Sequence, residues 1–582
     1  MEDRRLTKRP ARTLVVLGLA LLVGGAVPLR AAVNLDQELR DDVVLRALVD
    51  ELQRDHSGLT LEGFERPYFI EYALSDSTRA FVSAALGAIT SRNEYRNRSL
   101  RTDVRVGSYE LDNSNFRSGG FDWFGGSRSG AAMPIQEDYN AIRQAIWWAT
   151  DRDYKNVVEA LVQKKALMAS KLIEDKPPDF SHEEPVVSLD ERQPVKLDLD
   201  AMQTIATAVS AVFCDYPEVQ DSSVTVNAGG GNRYLVNTEG TRLRVAGLRC
   251  ALAVSAAVQA DDGMKLSDSF LVFGDVLDDL PTTEAVIQRC RDMVAQLIAL
   301  KNAPVLDSYS GPVLFDAQAA ARVFARQFGS SFAGGQRPVG SHVGPDDFSN
   351  KLNKRVLPRF MTVVDDPSPE EIAGVPALGH YEYDDQGVPA QRVSLVEDGR
   401  LHTLLMSRNP SREFAHSNGH GRGFMGEPRA AVGCLTVTAD KGLDRAELRQ
   451  ELLDAADDEG LEYGLRIASF GGVGDNAGRY AGEASSPLVM YKVYPDGHEE
   501  LVRGAEIALI DLRAFKHIVA AGDTPYVYNA PAGGGQTYAV PALLFEELDL
   551  AKVDRDYDKP PILPSPLARA GEKVSEAAPA RQ

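Results

Sequence analysis

From residue 359 to residue 510, short runs of alternating apolar and polar side chains follow one another with little between them. The runs 359–364, 388–396, 400–406, 433–438, 463–470, 484–494 and 501–510 each suit a strand with one buried face. One helical period, 444–457, interrupts them, and 388–405 has the pattern of a hairpin turned at Glu397-Asp398-Gly399. Strands this close in sequence pair mostly with near neighbours. The expectation for residues 304–553 is therefore a β-rich domain with a curved, mostly antiparallel sheet or a barrel-like closure.

That region opens with an abrupt change of period. Turn residues at 308–312 lead into Val313, Leu314 and Phe315, and Asp316 follows as an N-cap able to accept a bond from a first-turn amide. Ala317, Ala320, Ala321, Phe324 and Phe328 then recur at helical spacing, with Gln318, Arg322 and Arg326 on the other face. Gly329 ends the helix, and a Gly/Ser-rich loop runs to Gly335.

A chain of 582 residues is too long for one core. Before Pro304 helical and alternating patterns mix. Helices are expected at 34–55, 139–170 (whole or broken near Asp151), 197–212 and 282–300, and strands at 66–74, 100–109, 219–227, 233–237, 250–259 and 270–273. Residues 92–98 read as a polar turn, 112–116 as another, and Thr238-Glu239-Gly240-Thr241 as a turn between strands. The acidic, proline-bearing stretch 175–194 reads as a surface linker. Its His182-Glu183 pair lacks a second histidine and is followed by Pro185, which defeats a zinc motif. The expected fold class is α+β: an N-terminal α/β domain over 33–303, the β-rich C-terminal domain over 304–553, and a proline-rich, partly disordered tail over 554–582.

Residues 1–32 stand apart. Arg4, Arg5, Lys8, Arg9 and Arg12 precede an apolar stretch, 14–27, with small residues at Gly24, Ala26, Ala31 and Ala32. This is the pattern of a secretory signal peptide, cut between 26 and 33. An uncleaved anchor is the alternative, although spanning usually takes about 20 apolar residues. Export to the periplasm or the extracellular space is expected, with no stable membrane insertion after cleavage. The leader carries six basic and two acidic side chains, so a chain of net charge −21 becomes one of −25 without it. So acidic a surface repels nucleic acid. Cys214, Cys250, Cys290 and Cys434 show no CxxC spacing and could form up to two disulfides, with buried free thiols slightly favoured.

Several catalytic templates are missing. There is no GxSxG elbow and no GxxxxGK[ST] loop, and Gly472-Val-Gly-Asp-Asn-Ala-Gly misses the dinucleotide spacing. What remains is a set of segments: GPVLFDAQAAAR at 311–322, Tyr383-Asp-Asp-Gln-Gly-Val-Pro, Leu395-Val-Glu-Asp-Gly-Arg-Leu, His416-Ser-Asn-Gly-His-Gly-Arg and Gly533-Gly-Gly-Gln-Thr-Tyr-Ala-Val-Pro. Together with Thr238-Glu239-Gly240 and the 112–116 DNSNF run, these resemble the TldD/PmbA family, the so-called modulator-of-gyrase proteins. In its catalytic branch an HExxxH zinc motif occupies the place of 316–321, and a cysteine just before the position of Gln536 is the third ligand. Aligning the apolar runs carries the histidines onto Asp316 and Ala321 and the glutamate onto Ala317. The residues before Gln536 include Asn529, Ala530, Pro531, Ala532 and Gly533, with no cysteine.

The resemblance therefore implies the non-catalytic, TldE-like branch. It implies no catalytic residue and no zinc or other cofactor. The expected role is a peptide-binding or scaffolding partner, acting on peptide or protein as a homo-oligomer or as a hetero-oligomer with a catalytic homologue. Two alternatives stand beside it. One is an active zinc metallopeptidase with ligands moved to His402, His416 and His420; His416 and His420 have helical metal-pair spacing, but Gly419, Gly421 and Gly423 argue for a loop with solvated histidines. The other is a secreted structural protein.

Overall fold

The structure, a computed structural model, describes residues 34–117, 130–172, 176–340, 348–471, 487–507, 510–531, 534–553 and 557–568. Residues 1–33, the glycine-bearing segment 472–486 and the end of the tail lie outside them.

The first sheet is built on four antiparallel strands of 17 to 19 residues, Pro67–Ala85, Ala88–Val106, Asp221–Asn237 and Arg242–Gln259. The order runs Ala131–Ala132, Ala88–Val106, Pro67–Ala85, Asp221–Asn237, Arg242–Gln259, Val187–Leu189, and Lys265–Gly274 also pairs with Arg242–Gln259. Even-numbered residues of the long strands face helices. Ile70, Tyr72, Leu74, Tyr234 and Val236 pack with the helices Val43–Gly58 and Tyr139–Lys171. Further along, Ala80, Val82, Ala84, Val224 and Val226 pack with Leu199–Ser210 and Thr283–Asn302. The odd-numbered face is turned the other way: Ala73, Leu235 and Leu243 meet Tyr383 and Phe424 of the second half.

Three expectations need correction here. Residues 92–98 are not a turn but the middle of Ala88–Val106; the chain reverses instead at Leu86-Gly87, both at positive φ. The polar run stays extended because its partners are across the strands, with Arg96 and Arg98 both bonded to Asp76. The stretch 175–194 is not merely a surface linker. Asp179 is fully buried against Lys164 at 2.6 Å, Phe180 packs on Phe69, and Val187–Leu189 joins the sheet. Residues 139–171 form one helix, and 34–58 form two, divided at Asp42, which caps the second.

The second sheet has eleven strands: Arg400–Leu401, Val393–Glu397, Met361–Asp365, Cys434–Ala439, Gln536–Lys552, Ser308–Phe315, Gly464–Phe470, Pro487–Val493 and Glu499–Val502, with Ala505–Ile507 and Ile518–Ala530 also on Gln536–Lys552. Two pairings are parallel and the rest antiparallel, and the sheet is open, not barrel-like. The hairpin turns where expected, with Asp398 and Gly399 both at positive φ. Helix Arg445–Asp458 begins with a capping box between Asp444 and Glu447. Tail residues Tyr557 and Asp558 are ordered against the first sheet, where the Asp558 carbonyl accepts from Gln259. All four cysteines are free, and Cys214 is exposed. Among the described residues no helix is long and apolar enough to cross a membrane.

Candidate functional site

Strand Ser308–Phe315 delivers its chain to Asp316, and helix Ala317–Val323 follows, relaxing into a π turn at Phe324–Phe328. The Asp316 side chain makes no capping bond. Instead Arg466 donates to it at 2.7 Å and to Glu499 at 2.7 Å, so one guanidinium joins two carboxylates. A bond between two opposite charges outweighs one from a neutral backbone amide, which explains the departure from the local signal. Burial raises the Asp316 pKa, and Arg466 offsets part of that rise. Asp316 and Ala317 line a 370 Å³ cavity beside Arg445 and Thr524. Ala321, one turn further along the helix, is fully buried and belongs to the same apolar core as Phe324 and Phe328. Gln536, at the second motif place, accepts a bond from the Tyr538 hydroxyl at 3.0 Å.

A different face of the same helix looks into a larger space. Gln318 and Arg322 line a groove of 480 Å³ together with residues 269–273 of the first sheet and 525–529 of the second. The strands carrying those segments, Lys265–Gly274 and Ile518–Ala530, each have only one strand neighbour among the described residues. The turn at Ala373, followed by Val375 and Pro376, completes the groove. Asn529 is fixed in its wall: it accepts from Leu378 and Thr537 and donates to the Pro376 carbonyl. Phe273 lines both this groove and a second cavity of 560 Å³ between the two sheets. Strands paired on one side only beside such a groove offer backbone groups that an extended peptide can pair with.

Residues 308–552 match the family described as the PmbA/TldA metallopeptidase C-terminal domain. The C-terminal part of this chain belongs to the TldD/PmbA family. Two curated relatives are similar over short stretches: a metalloprotease of Archaeoglobus fulgidus, 27% identical over 139 residues, and one of Methanocaldococcus jannaschii, 40% identical over 76. The stretches are 24% and 13% of this chain and 30% and 16% of those proteins, so the match spans less than a third of either relative. Among solved structures, TldE from Thermococcus kodakarensis superposes with TM-score 0.58 at 13% identity, over 87% of this chain and all of the other. A protein described as a candidate modulator of a DNA gyrase from Thermotoga maritima gives 0.56 at 16%, over 89% and all. At such identities the likeness concerns the fold, and it extends over both sheets.

Three of the TldD/PmbA segments, 238–241, 383–389 and 416–422, meet at the junction of the two sheets, where Gly387 lies against Thr241 and Asp384 accepts from Gly421. Glu239, of the Thr-Glu-Gly turn, is held by Arg408 through two bonds of 2.7 Å and by the Tyr109 hydroxyl. Arg408 also donates to the Ser181 carbonyl and stacks on Phe180. Asp384 accepts backbone bonds from Gln386, Val388 and Gly421, and burial pushes its pKa up to about 6. The three candidate histidines do not meet. His402 is exposed near Glu397, and His416 is exposed with Glu183 3.6 Å away. His420, expected to be solvated, is fully buried between Asp365 at 3.1 Å and the Asn418 carbonyl at 2.9 Å. Among the described residues no group of three or more His, Cys, Asp or Glu side chains is placed to hold a metal ion. The arginines of the 560 Å³ cavity escaped sequence reasoning. Arg422 ends the 416–422 segment, and the local sign of Arg79, Arg233 and Arg249 is their place on odd-numbered positions of strands that turn mostly apolar even-numbered residues to the helices.

Proposed function

We propose that this chain is an exported, non-catalytic TldD/PmbA protein that holds an extended peptide between its two sheets and completes the cleft of a catalytic homologue. The observation that carries this is the pairing of an open groove with a motif helix that has no zinc donors to give. At the aligned positions Ala317 and Ala321 offer no ligand, Ala321 is enclosed by apolar side chains, and the Asp316 carboxylate is occupied by Arg466. A zinc site takes three or four N, S or O donors, and these residues do not fit one. The groove supports the peptide half of the proposal, since along 269–273 and 525–529 each wall strand pairs with a strand on one side only among the described residues, the bridge from Leu443 lying further back at Gly522. Export rests on the leader pattern of residues 1–32.

The test is a pull-down from the native envelope, followed by a peptidase assay of captured homologues with and without this chain. Stimulated cleavage by the pair, and metal analysis giving less than a tenth of an equivalent of zinc on this chain, are the expected results. One tightly held zinc per chain, or a monomer that captures no peptide and alters no homologue's activity, overturns the proposal. N-terminal sequencing of the secreted protein checks the leader, with a start between 27 and 33 expected.

A further inference from the structure

The long strands of the first sheet turn their odd-numbered residues toward the second half, and there the sheet is hollow. In one rung Arg79 pairs with Gly229 and Gly229 with Arg249. Strand spacing puts the two arginine Cα atoms about 10 Å apart, and the glycine between them leaves room into which the Arg79 side chain leans, its Cγ 3.0 Å from where a Cβ of Gly229 would stand. In the next rung Gly231 pairs with Gly247. Gly231 is required by backbone approach, because a Cβ there would meet the Asp76 carbonyl at 2.0 Å. Gly247 is different. A Cβ there meets nothing within 4 Å, so its missing side chain leaves open volume.

This hollow is the floor of the 560 Å³ cavity, which His380, Tyr381, Arg422 and Gly534 close from the other side. Four arginines line it: Arg79, Arg233, Arg249 and Arg422. Arg422 is buried, stacked on Tyr381, and its Nε has no hydrogen-bond partner among the described residues. Asp385 is shared between Arg422 at 3.7 Å and Arg233, which donates to it in a long bond of 3.5 Å. Asp76, also in the wall, is already taken by Arg96 and Arg98. Neither Arg79 nor Arg249 has an ion-pair partner within 4 Å among the described residues, though Asp275 offsets part of the charge at Arg249. Desolvation lowers the Arg233 pKa, Asp385 offsets part of that fall, and repulsion from Arg422 adds to it. Arginine stays charged regardless. A chain of net charge −21 thus keeps a local excess of positive charge in this cavity.

We infer that this cavity binds a carboxylate of the peptide held in the groove, through Arg79, Arg249 and Arg422. The inference rests on the peptide-holding role proposed above and adds its substrate class: peptides that carry a carboxylate, at the C terminus or on an acidic side chain. Planar guanidinium forks match a carboxylate, and Phe81, Phe273 and Leu378 leave an apolar wall for the residue that bears it.

The experiment measures binding of three labelled, unstructured decapeptides to the full chain by fluorescence anisotropy. The parent is neutral and amidated, the second has a free C terminus, and the third is amidated with one central glutamate. At least one carboxylate peptide is expected to bind about tenfold or more tighter than the parent, and which one identifies the source. The double variant R79Q/R249Q, at exposed positions, should shrink that preference to about twofold or less and leave parent binding unchanged. Gly247→Phe, which fills the hollow, should do the same. Equal affinity for all three peptides overturns the carboxylate site while leaving the groove intact. Equal losses for parent and acidic peptides in the double variant overturn it as well. If no peptide binds, the site and the groove fall together.

Discussion

Two arginine-rich regions lie between the sheets and differ in how completely their charges are answered. At Arg408 every guanidinium nitrogen has a partner: Glu239 takes two bonds and Ser181 the others. At Arg79, Arg233, Arg249 and Arg422 the carboxylates are shared, distant or engaged elsewhere. A buried charge with all its bonds made holds two surfaces in one register. Charges left partly unanswered around an open volume cost stability and are suited to a ligand that supplies the missing anion. The same residue type therefore serves as a bolt in one place and as a receptor in the other.

The sharpest way to break this contrast is Arg408→Ala, which leaves Glu239 buried without its cation. A loss of about 3–5 kcal/mol in urea unfolding is expected, and a loss below about 1 kcal/mol would dissolve the distinction. Next comes the pH response of Asp384. Its folded pKa of about 6 lies above the unfolded value near 3.8, so the folded state binds the proton more tightly. Stability is then greatest below the unfolded value and falls as pH rises from about 4 through 6, by ~2–3 kcal/mol for this group. Unfolding titrations of the wild type and Asp384→Asn should differ by a term that changes over that window, and a constant difference would refute the assignment.

Ala321→His asks whether the motif helix has room for a ligand. The side chain is enclosed by aromatic neighbours, so overpacking should cost about 1–3 kcal/mol and bring in no zinc, read by unfolding and by elemental analysis. Arg466→Gln removes the bridge between Asp316 and Glu499, both partly exposed, and about 1–2 kcal/mol should be lost, less at high salt. The smallest effect belongs to the cavity. Arg79→Gln and Arg249→Gln should each change unfolding free energy by no more than ~0.5 kcal/mol, because neither cation is bonded into the fold. A large loss at either would make the cavity structural.

Sequence by itself determined the local elements. Period-two and period-3.6 patterns gave the strand into Phe315, the helix after it, the hairpin at Asp398-Gly399 and the capped helix from Arg445, because each signal lies within a few neighbouring residues. The family resemblance was legible in the same way, in short turns and segments. Only the tertiary structure decided where polar residues went. Asp316 forgoes its helix for Arg466, 150 positions along the chain. His420 is buried by Asp365, and residues 92–98 are held straight by strands they could not announce. The arginine cavity is the extreme case: Arg79 and Arg249 become neighbours only because Gly229 pairs with both, and Arg422 arrives from the other sheet. Periodicity encodes which face a residue takes, but the energy of a charge depends on its partners across space, and those are set only when the sheets pair.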